Sequence, residues 1–599
     1  MVSGKPLSEC SQFYLLSHQH NVSVSEIIGQ DPLYPKQWHL KNNGQSQSVG
    51  FGDQDSGSPG NDVNIWPVWE KYRLAGYNIT LAIVDDGVQY DHPDLECGFQ
   101  EDLSKDVSSY GTPSEYGAPG GSGDNHGTSC AGVCCGRSNN HKCGVGAAFE
   151  SNVASIRALG DAYSDSVVAE ALSHFNDRID IYSNSYGPSD DGVTVERYPL
   201  SIMALVNGIQ KGRNGLGNIY VWASGNGAKY GDSSDWDELA NSPYTICVAA
   251  TDWRGKRSDY SESGTSTLIN APSNNYYNGG YSFTSKIVTI DRTGSNGYTS
   301  GDCYDSFGGT SSACPLAAGV LALILQARRD LTWRDVQHIL VATAKRTDLT
   351  HSEWIKNGAG LYHNIHYGFG RIDAYAAVQA AMSWSLISSP YLIESFGPDL
   401  ELGSEGLKLS ESSTSPTIVL FEVKKKMKVE SAVISLTVSV PSRGSVYFAL
   451  RSPAGTISMM GRGRRNDHSS DIEDQTFTSV QFWNETATGV WSFSIYTSVA
   501  NVAHLKKIGL TLHGSEILHV EQSEVVPEES NPSDESQIIP FHFRVGAASI
   551  LLAFVTCLVI AVVVIAYLKR KYNREKQAAA DSAANATQVA NRGSFYYRN

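Results

Sequence analysis

Between residues 79 and 383, short apolar runs alternate with longer segments whose apolar residues recur at helical spacing. Ile79-Thr80-Leu81-Ala82-Ile83-Val84 is apolar and β-branched, which predicts a buried strand of a parallel sheet. Further strands are predicted at 153–156, 179–183, 219–223 and 246–250, and helices at 166–175, 200–211, 311–327 and 333–344. Strands alternating with helices imply an α/β domain with a mainly parallel sheet. From 385 to 515 the pattern changes to β-branched, often alternating runs at 417–423, 429–440, 445–450, 491–496 and 508–512, with Arg451-Ser452-Pro453-Ala454-Gly455 as a turn. This predicts an all-β second domain.

The pattern changes twice more. The segment 516–544 opens with a run rich in Glu, Ser and Pro and reads as an acidic, disordered stalk. Residues 545–568 carry no charge and are dominated by Val, Ile, Leu and Ala. At helical rise they extend about 36 Å, enough to cross a bilayer. Arg544 precedes the span, and Lys569-Arg570-Lys571, Arg574 and Lys576 follow it. The heavier positive side predicts a single-pass, type I membrane protein with a cytosolic tail at 569–599 and the folded part outside the cytosol. Sequons at Asn21, Asn78 and Asn484 agree with a glycoprotein in that location. The N-terminus does not carry the expected 7–15-residue apolar leader of a secreted chain. Phe13-Tyr14-Leu15-Leu16 is too short, so the expectation is a missing true start or another route of targeting.

Composition narrows the function. A net charge of −16 argues against a nucleic-acid partner and suits cationic substrates, although solubility explains it equally well. Ten cysteines are too few for a disulfide scaffold, and their spacing alone assigns no pairs.

The chemistry is concentrated at Phe307-Gly308-Gly309-Thr310-Ser311-Ser312-Ala313-Cys314-Pro315. Ser311 is placed at the N-terminus of the 311–327 helix, where unpaired N–H groups and the positive dipole end favour negative charge. Pro315 is expected within its first turn, where a missing N–H matters least. A serine nucleophile needs a base, and the base needs an orienting acid. Asp85 ends the predicted strand, where open α/β sheets bind ligands. His126 lies in Asp124-Asn125-His126-Gly127-Thr128-Ser129-Cys130-Ala131-Gly132, whose small residues let a helix start close to the sheet. A lone serine before a helix is most often an N-cap, and a lone histidine there is most often structural. The three segments together point to a catalytic triad.

In this order the three segments resemble the subtilisin superfamily of serine endopeptidases. Ile181-Tyr182-Ser183-Asn184-Ser185-Tyr186-Gly187-Pro188-Ser189-Asp190-Asp191-Gly192 and Tyr220-Val221-Trp222-Ala223-Ser224-Gly225-Asn226-Gly227 narrow the resemblance to the kexin/furin group of proprotein convertases. It runs from about residue 28 to 515 and implies a subtilisin-like catalytic domain at 28–383 and a β-sandwich P domain at 385–515. Residues 1–27 then read as a pro-segment remnant or N-terminal linker, and the chain's own pro-segment as its inhibitor or chaperone.

The resemblance also implies roles for particular residues. Asn226 matches a side-chain donor to the oxyanion, with the Ser311 N–H as the second donor. Asp190, Asp237 and the Ala223 carbonyl match the pocket for the basic residue before the cut. Asp86 matches a contact to the second basic residue, with Asp124 beside it, and Glu170 and Glu196 are candidates farther out. Leu239 stands where the furin group has a tyrosine in the outer pocket. Calcium is implied at two sites. One has Asp31, Asp94 and Asn140 with carbonyls of Arg137, Lys142 and Gly144; the other has Asp190, Asp232 and Glu262. Asp106 fits a third site whose other acids are missing. Cys143 and Cys303 match one bridge of the family, whereas Ser234 and Gly264 occupy the positions of a second. Cys130 matches an unpaired thiol, and Phe307 stands where convertases commonly carry histidine.

These implications combine into a calcium-dependent serine endopeptidase of the late secretory pathway (Golgi or trans-Golgi network), cutting proproteins after Lys-Arg or Arg-Arg. A broad-specificity subtilisin-like protease and a catalytically silent receptor or binding module are the alternatives.

Overall fold

The buried, β-branched runs assemble as seven strands, Thr80–Asp85 (β1), Lys105–Asp106 (β2), Asn152–Arg157 (β3), Ile181–Asn184 (β4), Ile219–Ala223 (β5), Thr245–Thr251 (β6) and Thr267–Pro272 (β7). Their order is β2-β3-β1-β4-β5-β6-β7, and every pair is parallel. β1 is buried throughout, as a strand in the middle of a covered parallel sheet must be. The chain builds β2 and β3 on one side of β1 and β4 to β7 on the other. The carboxyl end of β1, at Asp85, is therefore a topological switch point. This is a computed structural model, and it describes residues 23–50, 53–276, 280, 282–387, 391–396, 406–499 and 503–517. Asn21, most of the stalk, the 545–568 span and the tail lie outside the described residues.

Helices His126–Cys135 (α1), Asp165–Ser173 (α2), Pro199–Gly215 (α3), Thr310–Ala327 (α4), Trp333–Thr343 (α5) and Ala374–Ser383 (α6) accompany the sheet. Among the described residues, α4 is the one helix long and apolar enough to cross a membrane, but it is a core helix, buried from Ser312 to Leu325. Pro315 lies in its second turn rather than its first. A proline there cannot donate to the carbonyl four residues back. That carbonyl belongs to Ser311, and it accepts instead from Ser185 Oγ at 3.2 Å and Cys130 Sγ at 3.5 Å. The missing hydrogen bond thus ties the start of α4 to α1 and to the segment after β4.

The end of the expected N-terminal linker is part of the fold. Val24–Ile28 forms a short helix closed by a Ser23–Glu26 capping box, and Val24 and Ile28, one turn apart, are buried in the α/β core.

The second part contains strands Tyr391–Phe396 (β8), Leu407–Lys408 (β9), Thr417–Val423 (β10), Met427–Ser439 (β11), Val446–Arg451 (β12), Ile457–Arg462 (β13), Ile472–Ser479 (β14), Gly489–Thr497 (β15) and His504–Glu516 (β16). They form two antiparallel sheets, β8-β16-β11-β14 with β9 on β16, and β10-β15-β12-β13. β13 and β14 have no β-branched run, and it is pairing with β12 and β11 that makes them strands. The two cores exchange tryptophans. Trp236 of the α/β part is buried in the β core, edge-on to Phe477 at 5.0 Å, whereas Val480 and Trp483 of the β part are buried in the α/β core.

The Cys143–Cys303 bridge is formed. At the positions of the family's second bridge, a Cβ built on Gly264 would lie 2.1 Å from Ser234 Oγ. The chain thus keeps the two segments in contact without the sulfurs. A Ser234→Cys/Gly264→Cys double variant should therefore form a disulfide. Closing that loop is worth about 3–4 kcal/mol, to be read as a higher denaturation midpoint in the oxidised than in the reduced protein.

Arg334 and Glu430 join the two parts through a buried ion pair, with Arg334 Nε donating at 3.1 Å. Burial alone would raise the Glu430 carboxyl, but hydrogen bonds from His338 and Arg334, and their charge, hold it down to about 2. Its stabilising contribution is thus present above its ordinary value of 4.5 and is lost as pH falls towards 2. The stability difference between wild type and Glu430→Gln should shrink over that window in denaturant titrations. Arg334→Met should cost up to about 3–5 kcal/mol at neutral pH, because it leaves the buried carboxylate with only His338 and Ser515 as partners.

Candidate active site

Two adjacent carboxylates at the end of β1 hold one histidine. Asp85 accepts from His126 Nδ1, at 2.9 and 3.0 Å to its two oxygens. Asp86 accepts from the backbone N–H groups of His126 and Gly127, at 3.0 and 2.7 Å. It thereby caps the N-terminus of α1, where unpaired N–H groups and the dipole attract negative charge. A Cβ at Gly127 would lie 2.5 Å from the Gly87 carbonyl oxygen, so only glycine lets the helix start this close to the sheet. Burial lowers the His126 pKa, but the charge and hydrogen bond of Asp85, together with Cys130, hold the imidazole well above its ordinary value. Burial and the Asp85 charge push Asp86 up to about 7.

Ser311 is the second residue of α4, after Gly309 at φ +71°, a left-handed conformation that favours glycine. Asn226 Oδ1 accepts from Thr310 N–H at 2.8 Å and Thr310 Oγ1 at 3.0 Å. Its Oδ1 is occupied by the helix end, and its Nδ2 makes a long contact of 3.5 Å to Asp190 Oδ2. Among the described residues, neither Ser311 Oγ nor its N–H makes a hydrogen bond, which leaves both for a substrate. Cys130 links base to nucleophile: its Sγ lies 3.8 Å from His126 Nδ1 and donates to the Ser311 carbonyl. Burial pushes that thiol above its ordinary value, so it is no thiolate and takes a packing role.

A cavity of about 230 Å³ opens beside Ser311, lined by Asp190, Asp237, Asp232, Glu262, Ala223 and Asn226. Asp190 Oδ1 accepts from Asn226 N–H at 2.8 Å. Asp237 is half-buried, accepts from Leu239 and Ala240 N–H, and is pushed up to about 7 chiefly by desolvation. Glu262 sits in a cradle that side chains would fill, since a Cβ at Gly225 would lie 2.5 Å from its carboxyl. Burial, with Asp232 and Asp190 nearby, raises Glu262 well above the ordinary carboxylate range. Such crowding fits a hard cation among Asp190, Asp232 and Glu262.

A second acidic cluster lies under the 137–144 loop. Asp31 accepts from Asn139, Asn140 and His141 N–H, and Asp94 Oδ1 accepts from Asn140 Nδ2 at 2.7 Å. Asp94 Oδ2 is buried with no protein partner. Burial lifts Asp31 to about 6, and burial with the Asp31 charge lifts Asp94 further. Arg137 N–H donates to the Asp94 carbonyl, Lys142 N–H donates to Asn140 Oδ1, and Gly144 packs on Gln37. An orphaned carboxylate oxygen beside a second buried carboxylate again fits a hard cation.

The outer acids are placed differently from the specificity acids. Asp86, Asp124, Glu170 and Glu196 line neither the acidic cavity nor its neighbour at His126. Asp124 and Asp106 both clamp the buried Arg157, at 2.9 and 3.1 Å, so a protein cation takes the place of a third metal site. Glu170 pairs with Lys105 at 2.6 Å on the exposed face. Glu196 accepts from Tyr198 OH and helps raise Asp237. The Leu239 side chain is buried in the core.

Two features were not anticipated. Arg464, from the turn after β13, donates to Asp232 Oδ1 at 2.9 Å and faces Trp236 at 5.1 Å. It brings a β-domain cation to the acidic cavity; the only signal was its run, Arg462-Gly463-Arg464-Arg465, which sequence alone cannot separate from solvated charge. Phe307 packs its ring on His126 at 5.6 Å.

A model of the subtilase family matches residues 76–370, and one of the proprotein convertase P-domain matches residues 429–512. Proprotein convertase subtilisin/kexin type 7 of Homo sapiens is 36% identical over 81% of this chain and 60% of its own length. Neuroendocrine convertase 2 of Homo sapiens is 35% identical over 83% of this chain and 76% of its length. Furin of Homo sapiens is 34% identical over 81% of this chain and 58% of its length. The chain thus spans about three fifths of the first and third of these relatives. The solved serine protease of Aeromonas sobria shares the fold, with a TM-score of 0.72 at 22% identity over 81% of this chain and 96% of its own.

If Asp85 sets the charge of His126, Asp85→Asn should lower the imidazole pKa, as read by NMR titration of the ring protons. Asp86→Asn should move it less, because Asp86 touches only the backbone of His126.

Proposed function

Because the chain belongs to the subtilase family of serine endopeptidases, on its proprotein convertase branch, we propose that it is a calcium-dependent endopeptidase that cuts proproteins after paired basic residues. The observation that carries this reading is the acidic cavity, with Asp190 and Asp237, opening beside Ser311. A Lys or Arg side chain there gains charge-assisted hydrogen bonds. A neutral one leaves the half-buried Asp237 without a cationic partner, which discriminates against it.

The proposed chemistry is that of a Ser-His-Asp triad. Ser311 Oγ attacks the carbonyl carbon after the basic residue, and His126 Nε2 takes the hydroxyl proton. Asp85 holds Nδ1–H and stabilises the imidazolium. The oxyanion receives the Ser311 N–H and Asn226 Nδ2. His126 then protonates the leaving amine, and water attacks the acyl-serine by the same path in reverse. Preference for a second basic residue rests on family membership and on the charge of Asp86 beside His126.

Calcium would be held by Asp31, Asp94 and Asn140 with carbonyls of Arg137, Lys142 and Gly144, and by Asp190, Asp232 and Glu262. When bound it neutralises these carboxylates and fixes the loops that carry them. Membrane anchorage through 545–568, a lumenal orientation and residence in the late secretory pathway complete the proposal. Asn78 and Asn484 are both exposed, as glycan acceptors must be.

The full chain should cleave a Lys-Arg peptide and spare an Ala-Phe peptide, with activity lost to a calcium chelator and restored by calcium. Ser311→Ala should lower kcat by about 10⁶. Equal cleavage of both peptides would replace this reading with a broad protease. A wild type no faster than Ser311→Ala would replace it with a silent binding module.

A further inference from the structure

We propose that the aromatic cavity beside His126 receives the substrate residue that follows the cut, and that it selects a large apolar or aromatic side chain there. The inference rests on the endopeptidase reading. The cavity holds about 430 Å³ and is lined by Tyr276, Phe283, Tyr298, Tyr304 and Phe307, with His126 at its inner end.

Its position follows from proton transfer. The acyl side of a bound peptide is fixed by the acidic cavity, which His126 does not line. The leaving amine must lie within reach of His126, because His126 protonates it. The residue carrying that amine therefore enters the cavity that His126 does line. Ser311 lines the acidic cavity, and the two cavities share Asn226 and Asp190, so one extended peptide can occupy both.

Its chemistry is set by stacked rings. Tyr298 and Tyr304 stack at 4.6 Å, and Tyr276 and Phe283 at 4.9 Å. Phe307 bridges the inner end, edge-on to His126 at 5.6 Å and to Tyr304 at 6.4 Å. Tyr298 is 43% exposed and Phe283 36%, an unusual display of ring surface for a cleft wall. A large apolar side chain would cover these faces, and aromatic pairs add about 0.5–1.5 kcal/mol beyond burial. Lys229 stands at the rim, its Nζ 5.0 Å from the Tyr230 ring centroid and 5.9 Å from that of Tyr276. Its charge opposes that of Asp190, which lines both cavities, so the rings decide selection on this side. The cleft thus sorts basic residues before the bond from apolar ones after it, which also fixes the direction in which a peptide lies.

The test uses four peptides that share Lys-Arg and differ only in the next residue, Phe, Leu, Ser or Lys. With the full chain, kcat/KM should favour Phe and Leu over Ser and Lys by about tenfold, the scale of apolar-pocket discrimination. In Ser311→Ala, where no bond breaks, fluorescence anisotropy should give the same order of affinity. Phe307→His and the more exposed Tyr298→Ser should each bring the Phe-to-Ser ratio towards one, whereas a general folding defect would lower all four peptides together. Equal affinity of Ser311→Ala for the Phe and Ser peptides, or an unchanged ratio in both variants, overturns the proposal. If wild type cuts none of the peptides while the binding order holds, the endopeptidase reading falls and the subsite stands.

Discussion

Asp85 and Asp86, consecutive at the end of a buried strand, grip the ring and the backbone of His126. The pairing fixes the imidazole in orientation and charge, and the rest of the site is arranged around where that ring points. α1 can approach only because Gly127 has no side chain, and α4 reaches α1 through the Ser311 carbonyl that Pro315 leaves free. His126 and Ser311 are therefore tied by backbone geometry, with Cys130 in contact with both.

A second constraint is the cost of burying so many carboxylates. Asp31, Asp94 and Glu262 are buried, with Asp232 and Asp237 half-buried beside the exposed Asp190, and isolated charges cannot stay buried without partners. The chain meets the demand by three means. Backbone N–H groups supply Asp31 and Asp237; arginines supply Asp106, Asp124 and Asp232; and the remaining oxygens suit a metal or a substrate cation. The proposed specificity for positive side chains and the proposed calcium sites both rest on the same shortage of internal cations.

The β domain takes part in this arrangement. Trp236, next to the specificity residue Asp237, is buried in the β core, and Arg464 of the β domain holds Asp232. Pocket wall and β domain are thus packed together, so a disturbance of either reaches the other through contacts that include Trp236 and the Arg464–Asp232 pair.

The sequence by itself determined the α/β layering, the burial of β1 and α4, and the order of Asp85, His126 and Ser311, because hydrophobic period and local glycine and proline chemistry act over a few residues. It also determined the change to an all-β domain after residue 385, although β13 and β14 escaped notice because only their partners make them strands. Tertiary structure alone decided which acids face the cleft and which are spent elsewhere. Asp190 and Asp237 look no different in sequence from Asp124, which Arg157 holds, or from Glu170, which Lys105 holds. It alone turned the run around Arg464 into a buried contact and the scattered Tyr298, Tyr304 and Phe307 into one wall. Charge pairing and ring stacking join residues far apart in the chain, and no local pattern records which of them will meet.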